Sequence, residues 1–186
     1  MRFFIALNIP GTDIPALQSV QRELQQILPA VGLSPNQKLH LTLAFLGEQP
    51  DELQADLTEA LRKACLGISS FSITPAYIDA FPNIHHPHTF WVGVKGDVDQ
   101  LIILRERIKD EITKLNIPID TRRFIPHIKI GGMPARAISP EDEQRLQHIS
   151  FESFDPIHVD RIRLYNSVPD GSFHRHNTLA EIQLQS

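Results

Sequence analysis

Apolar and polar positions along the chain follow two periods. Residues 2–8 form an apolar run between Arg2 and Asn8 that closes at Pro10 and Gly11, the pattern of a buried strand. Asp13 then precedes Ile14, Leu17, Val20, Leu24, Ile27 and Leu28 at helical spacing, so a capped amphipathic helix is expected. A loop follows over 29–35 and a strand over 38–46, ended by Gly47. Asp51 opens a second helix with Leu53, Leu57, Leu61 and Ala64 on one face, stopping near Gly67. Strands are expected at 71–77 and 89–95, flanking a link rich in Pro and His. Gly96 and Asp97 start a third helix carrying Leu101, Leu104, Ile108, Ile112 and Leu115. Residues 124–131 read as strand and 141–148 as a short helix. Residues 151–167 and 174–184 close the chain as strands around a turn at Pro169-Asp170-Gly171.

Helices and strands are thus mixed, yet hairpin connections are frequent. That order predicts an α+β fold with antiparallel sheets rather than a doubly wound parallel one. The chain also echoes itself. In each half a helix precedes a strand of the form His-apolar-x-apolar: His40-Leu41-Thr42-Leu43 and His127-Ile128-Lys129-Ile130.

Composition narrows the setting. With 186 residues, 41% apolar and 22% charged, the chain is an ordinary globular one, a single domain or two small lobes. A formal charge of −4 argues against a protein that coats long nucleic acid, but leaves room for a short RNA end with few phosphates. Cys65 is the one cysteine, so no internal disulfide forms and a reducing compartment is expected. The N-terminal apolar run is too short for a signal core or a membrane span, which points to the cytoplasm.

Residues i and i+2 of a strand share a face. His40 therefore projects with Thr42, and His127 with Lys129, while Leu41, Leu43, Ile128 and Ile130 point the other way. Each strand offers one imidazole and one group able to hold a phosphate oxygen. Two imidazoles suit a reaction that needs one proton removed and another delivered near neutral pH. If the halves pack about a pseudo-twofold axis, both pairs meet in one cleft.

At these residues the chain resembles the RNA 2′,3′-cyclic phosphodiesterase family, also called 2′-5′ RNA ligases, of the 2H phosphoesterases. The run Lys38-Leu39-His40-Leu41-Thr42-Leu43-Ala44-Phe45-Leu46-Gly47-Glu48 is similar to the family's first motif throughout. Residues 2–10, Trp91-Val92-Gly93-Val94, the approach Arg122, Phe124 and Pro126, the turn from Ser167 to Gly171, and Leu179 fit the rest in order. The resemblance implies one bilobal domain over 1–186, with two antiparallel sheets flanked by helices around a central cleft and one His motif per lobe. It implies metal-independent hydrolysis of a 2′,3′-cyclic phosphate to a 2′-phosphate, with 2′-5′ joining of RNA ends in some members. In the family's usual assignment His40 protonates the leaving 3′ oxygen and His127 activates water. Lys129 stands where that family has Thr or Ser, Gly132 where Arg is frequent, and His85, His86 and His88 where Arg is common. An ammonium at position 129 still binds phosphate, and it disfavours a charged imidazole beside it, which suits a base.

RNA ends or nucleotides bearing the cyclic phosphate are the expected partners of a monomeric protein that needs neither cofactor nor membrane. Two alternatives accompany this: a phosphoesterase for another cyclic or 2′-5′ phosphodiester, or a catalytically weak RNA- or nucleotide-binding protein with the same fold. Arg122 is a candidate phosphate ligand, and Phe124 either packs in the core or stacks a base. His85-His86-Pro87-His88 lacks a nearby Cys or Asp, and Pro87 breaks any regular ligand face, so a solvated or cleft-rim loop is expected and no metal. Trp91 is expected in the core. His174 and His176 would share one strand face and could bind a metal, with surface hairpin positions as the default reading and His176 meeting substrate at the cleft edge as the alternative.

Overall fold

The computed structural model describes residues 1–186. Its elements are β1 (Arg2–Asn8), α1 (Ile14–Ile27), β2 (Gly32–Leu33), β3 (His40–Glu48), α2 (Gln54–Cys65), β4 (Phe71–Phe81), β5 (Thr89–Gly96), α3 (Val98–Thr113), β6 (Ile128–Gly132), α4 (Pro140–Gln147), β7 (Ile157–Val159), β8 (Arg161–Asp170) and β9 (Phe173–Gln183). The strands run in the order β7-β4-β5-β6-β3-β1-β8-β9, with β2 added to β6. Every pairing between these strands is antiparallel.

The α+β class is the one expected. The two expected sheets, however, share an edge. They are one sheet whose halves meet at β3 and β6 through the single pair Leu41–Ile128. Apolar side chains of both halves and of the helices form one continuous core that contains Leu41, Leu43, Ile128 and Ile130. Phe4, Ala6 and Tyr165 make a separate small cluster on the other side of the sheet. This explains why β1 reads as apolar on both faces: Phe3, Ile5 and Leu7 face the helices, while Phe4 and Ala6 face the cleft.

Three strand boundaries differ from the sequence pattern for identifiable reasons. β6 begins only at Ile128, because Pro126 has no N–H to donate and holds the chain off the ladder. Residues 151–167 are not one strand. The chain leaves β7, paired with β4, turns at Asp160, and enters β8, paired with β1 in the other half. The final turn is tighter than expected, with Asp170 paired to Phe173 across Gly171 and Ser172, and Gly171 in the left-handed region at φ 64°. α4 carries a Ser139 cap, whose hydroxyl accepts from the Asp142 N–H at 3.0 Å.

β3 is irregular, and the irregularity shapes the site. Its register with β1 shifts between Ile5 and Ala6 and again between Phe3 and Phe4. The first shift bulges Leu43 out of the ladder. Its carbonyl accepts instead from the Arg105 Nε–H at 3.2 Å. Arg105 projects from α3, is 4% exposed, and also donates to the Asp120 carbonyl at 3.0 Å. One buried guanidinium therefore braces the first His strand and the approach to the second. Arg105→Met leaves two inward-facing carbonyls without their donor. It is expected to cost about 2–4 kcal/mol, since an unmet buried polar group costs roughly 1–3 kcal/mol. Urea unfolding of the variant against the parent chain checks this; a loss below about 1 kcal/mol would show that water replaces the guanidinium.

Candidate functional site

The Leu41–Ile128 pair fixes the geometry of the site. Carried one residue either way, its antiparallel register sets His40 opposite Lys129 and Thr42 opposite His127. An antiparallel pair has a local twofold axis through its midpoint, so the two dipeptide faces exchange across Leu41–Ile128. Directly opposed residues have Cβ atoms roughly 4.5–5.5 Å apart, which brings all four side chains to one place. They line a cavity of about 570 Å³, together with Arg2, Phe4, Lys38, Phe45, Ser167, His174 and His176.

Each catalytic candidate is backed by aromatic rings from its own half. His40 stacks on Phe4 at 5.2 Å, and Phe4 stacks in turn on Tyr165 at 4.9 Å with an interplanar angle of 9°. His176 meets both His40 and Phe4 edge-on, at 5.4 and 4.9 Å. Across the cleft, His127 sits edge-on to Phe81 at 5.1 Å and to Trp91 at 5.7 Å. Trp91 is buried as expected, yet its ring backs the second histidine rather than filling the space under the helices. Tyr77 adds an edge contact to Trp91 at 5.9 Å. The Tyr77 ring lies where a β-carbon on Gly93 would sit, so only glycine is accommodated there.

The cleft is electrostatically one-sided. Arg2, Lys38 and Lys129 line it with four histidines, and no carboxylate is among the lining residues, although the chain as a whole carries −4. Such a wall draws in anions. Burial lowers the His40 pKa to about 4, helped by the positive charges of His176 and Lys38 and opposed by the Gln37 carbonyl. His176 is also lowered, by burial first and then by Lys38 and His174, against the same Gln37 carbonyl. His127 Nδ1 lies 2.7 Å from the Ile125 carbonyl. A carbonyl only accepts, so Nδ1 carries the hydrogen, and in the neutral ring Nε2 is left with its lone pair free.

The His40 shift has a consequence for stability. Its folded-state pKa, about 4, lies below the ordinary 6.5. Between those values the unfolded chain binds the proton and the native protein does not. The contribution is therefore complete above pH 6.5 and is lost as pH falls to about 4. At about 1.4 kcal/mol per unit it is worth up to about 3 kcal/mol. Urea unfolding at pH 6.5 and pH 4 of the parent chain and His40→Gln checks this, the variant losing less stability on acidification.

His40, Thr42, His127 and Lys129 are therefore brought together, and Arg122 and Phe124 are not. The Arg122 side chain is 87% exposed and is bound to Asp120, whose carboxyl it holds down at about 2. Asp120 is two residues away, so local pairing outcompetes the cleft. Phe124 packs against the core under Arg105, whose guanidinium carbon lies 5.4 Å from the ring centre. The loop histidines disperse as well: His85 pairs with Glu143 of α4 at 2.8 Å, and His88 Nδ1 bonds the Met133 carbonyl. Gly132 packs tightly against this loop, with the His88 carbonyl 3.2 Å from where its β-carbon would stand. An arginine at 132 would not fit without moving that loop.

Sequence reasoning passes over Arg2, Phe45, Ser167 and His174 as wall residues and leaves His176 at the surface by default. The alternation of His174 and His176 is a visible signal, since two imidazoles on one strand face need somewhere to point. Nothing local marks that face as the cleft.

Comparison with known proteins agrees with this fold. Residues 15–171 match the model of the 2′-5′ RNA ligase superfamily. An RNA 2′,3′-cyclic phosphodiesterase of Thermotoga maritima is 28% identical over 178 residues, covering 94% of this chain and 92% of its own. One of Archaeoglobus fulgidus is 28% identical over 177 residues, covering 94% and 97%. Among solved structures, a Thermus thermophilus protein superposes with a TM-score of 0.78 at 22% identity, over 100% of this chain and 98% of that one. E. coli LigT complexed with 3′-AMP gives 0.76 at 21% identity over the same shares. At that identity the structural matches speak for the fold.

Proposed function

Because the chain belongs to the 2′-5′ RNA ligase superfamily and sets two histidines from separate halves into one cationic cleft, we propose that it hydrolyses RNA or nucleotide 2′,3′-cyclic phosphates to 2′-phosphates by acid–base catalysis. The observation that carries this reading is the Leu41–Ile128 register, which sets two sequence-remote imidazole strands side by side. The full-length similarity to RNA 2′,3′-cyclic phosphodiesterases supports the substrate class.

The residues divide the work. His127 Nε2, freed by the Ile125 carbonyl, takes a proton from the attacking water. Thr42 donates its hydroxyl and Lys129 its ammonium to nonbridging phosphate oxygens, where charge develops. His40 delivers a proton to the departing 3′ oxygen. It rests neutral in the free cleft, and the arriving phosphate anion favours its charged form. The loading of the acid is thereby tied to substrate binding. Specificity for RNA follows from the reaction, because a 2′,3′-cyclic phosphate needs the 2′ oxygen. Joining RNA ends through a 2′-5′ linkage is the reverse-type reaction of the same groups. Both halves of the site come from one chain, so a monomer suffices, and the buried free Cys65 accords with a reducing cytoplasm.

The test is a substrate panel: the four nucleoside 2′,3′-cyclic monophosphates and a short RNA ending in one, with chelator present. Formation of 2′-phosphate that persists in chelator is the expected result. Products with a 3′-phosphate, or dependence on added metal, would overturn the mechanism. Binding without turnover would leave a nucleotide-binding protein with this fold.

A further inference from the structure

His176 is the cleft group that the two-motif chemistry leaves unused. It stands on β9 opposite Ser167 and reaches back over β8 toward the first histidine. Its ring lies edge-on to His40, with centroids 5.4 Å apart and planes at 64°. Phe4 holds both rings at once, stacked on one and edge-on to the other. The Nδ1 of His176 is buried and has no hydrogen-bond partner.

We propose that His176 is a positioning residue for His40 and shares one proton with it, the two rings working together as a single acid. This rests on the hydrolase reading above. Two imidazolium ions at such separation repel, so the pair binds its protons in two well-separated steps and holds one of them near neutrality only when a counter-charge is present. The other titratable groups facing the pair are Lys38, Arg2, Lys129, His127, His174 and the phenol of Tyr165. None is a carboxylate. The first counter-charge to reach the pair is the substrate's phosphate, and binding therefore draws one proton into the cleft.

The proton balance closes over one turnover. His40 gives the pair's proton to the 3′ oxygen as the P–O3′ bond breaks. The attacking water gives its proton to His127 as the new P–O bond forms. Solvent then returns one proton to the pair and takes one from His127. Half-buried His176 is the member of the pair on a hairpin edge, and it also keeps the His40 ring aimed at the phosphate by closing off its far side.

The test uses His176→Phe, which keeps the edge contact with Phe4 and cannot hold a proton, and His176→Gln, which keeps polarity. Ring C–H signals of His40 are followed by NMR across pH, and pH–rate profiles are measured on a nucleoside 2′,3′-cyclic monophosphate. In both variants the His40 midpoint is expected to rise by roughly half a unit or more, because a positive neighbour is gone. The alkaline limb of kcat should move with it, and kcat should fall about tenfold while KM stays within about twofold. A purely structural role would lower kcat without moving either pH curve. Titrations and profiles that superimpose on those of the parent chain would overturn the inference. A melting curve establishes that each variant is folded, and the Phe variant decides if the Gln variant is not. Should the parent chain turn over no cyclic phosphate, the hydrolase reading falls, and the NMR titration still decides whether the rings share a proton.

Discussion

His40→Ala and His127→Ala are each expected to lower kcat on a 2′,3′-cyclic nucleotide by about 10²–10⁴-fold, the range for losing one positioned proton-transfer group. The two losses have different signatures. In the proposed mechanism His127 is the base, with Nδ1 held at the Ile125 carbonyl at 2.7 Å, so its removal should take away activation of water at every pH. In the proposed mechanism His40, neutral in the free cleft, is the acid that the bound phosphate charges, so its removal should abolish the alkaline limb of kcat as well as lowering its value. The double variant should be scarcely worse than either single one, because the residues act as a unit. KM should change little in both, since Thr42, Lys129, Lys38 and Arg2 still line the cleft. Steady-state kinetics of the three variants checks this, and residual activity above about a tenth in either single variant would remove that histidine from the mechanism.

Phe4→Ala is expected to be the most damaging change outside the histidines. The ring is 3% exposed and is the common partner of His40, Tyr165, His176 and Phe45. Deleting it leaves a cavity under the cleft floor at about 3–5 kcal/mol, the usual cost of a buried Phe→Ala change. It also frees the His40 ring to turn, and small misplacement of a catalytic group is costly in rate. Phe4→Leu separates the two effects. It conserves most of the volume and should cost under about 1.5 kcal/mol, yet it removes the flat surface that orients His40. Denaturant unfolding and kcat, measured on both variants, are the readouts. If Phe4→Leu keeps full kcat, the stack contributes packing and no orientation.

Much of the fold was legible because periodicity reports burial. The helix stripes of α1, α2 and α3 and the strands β1, β3, β4 and β5 lie close to where apolar spacing put them. Where the pattern misled, a specific constraint intervened. Pro126 delays β6, and the change of pairing partner at Asp160 splits an apolar stretch into β7 and β8. Both depend on what lies across the sheet, which spacing along one strand does not encode.

The same division runs through the site. Local sequence alone determined that His40 travels with Thr42 and His127 with Lys129, because strand geometry puts i and i+2 on one face whatever the surroundings. It determined the chemical types and, by resemblance, their use. Tertiary structure alone decided which partners those side chains meet. The Leu41–Ile128 register joins the two strands, the β8–β9 hairpin carries His174 and His176 into the cleft, and Phe4 turns inward beneath His40. It likewise decided that Arg122 is taken up by Asp120 and Phe124 by Arg105. Periodicity is a property of one segment and survives in the linear chain. Pairing is a competition among segments far apart in sequence, and the winner is set by which arrangement buries the shared core.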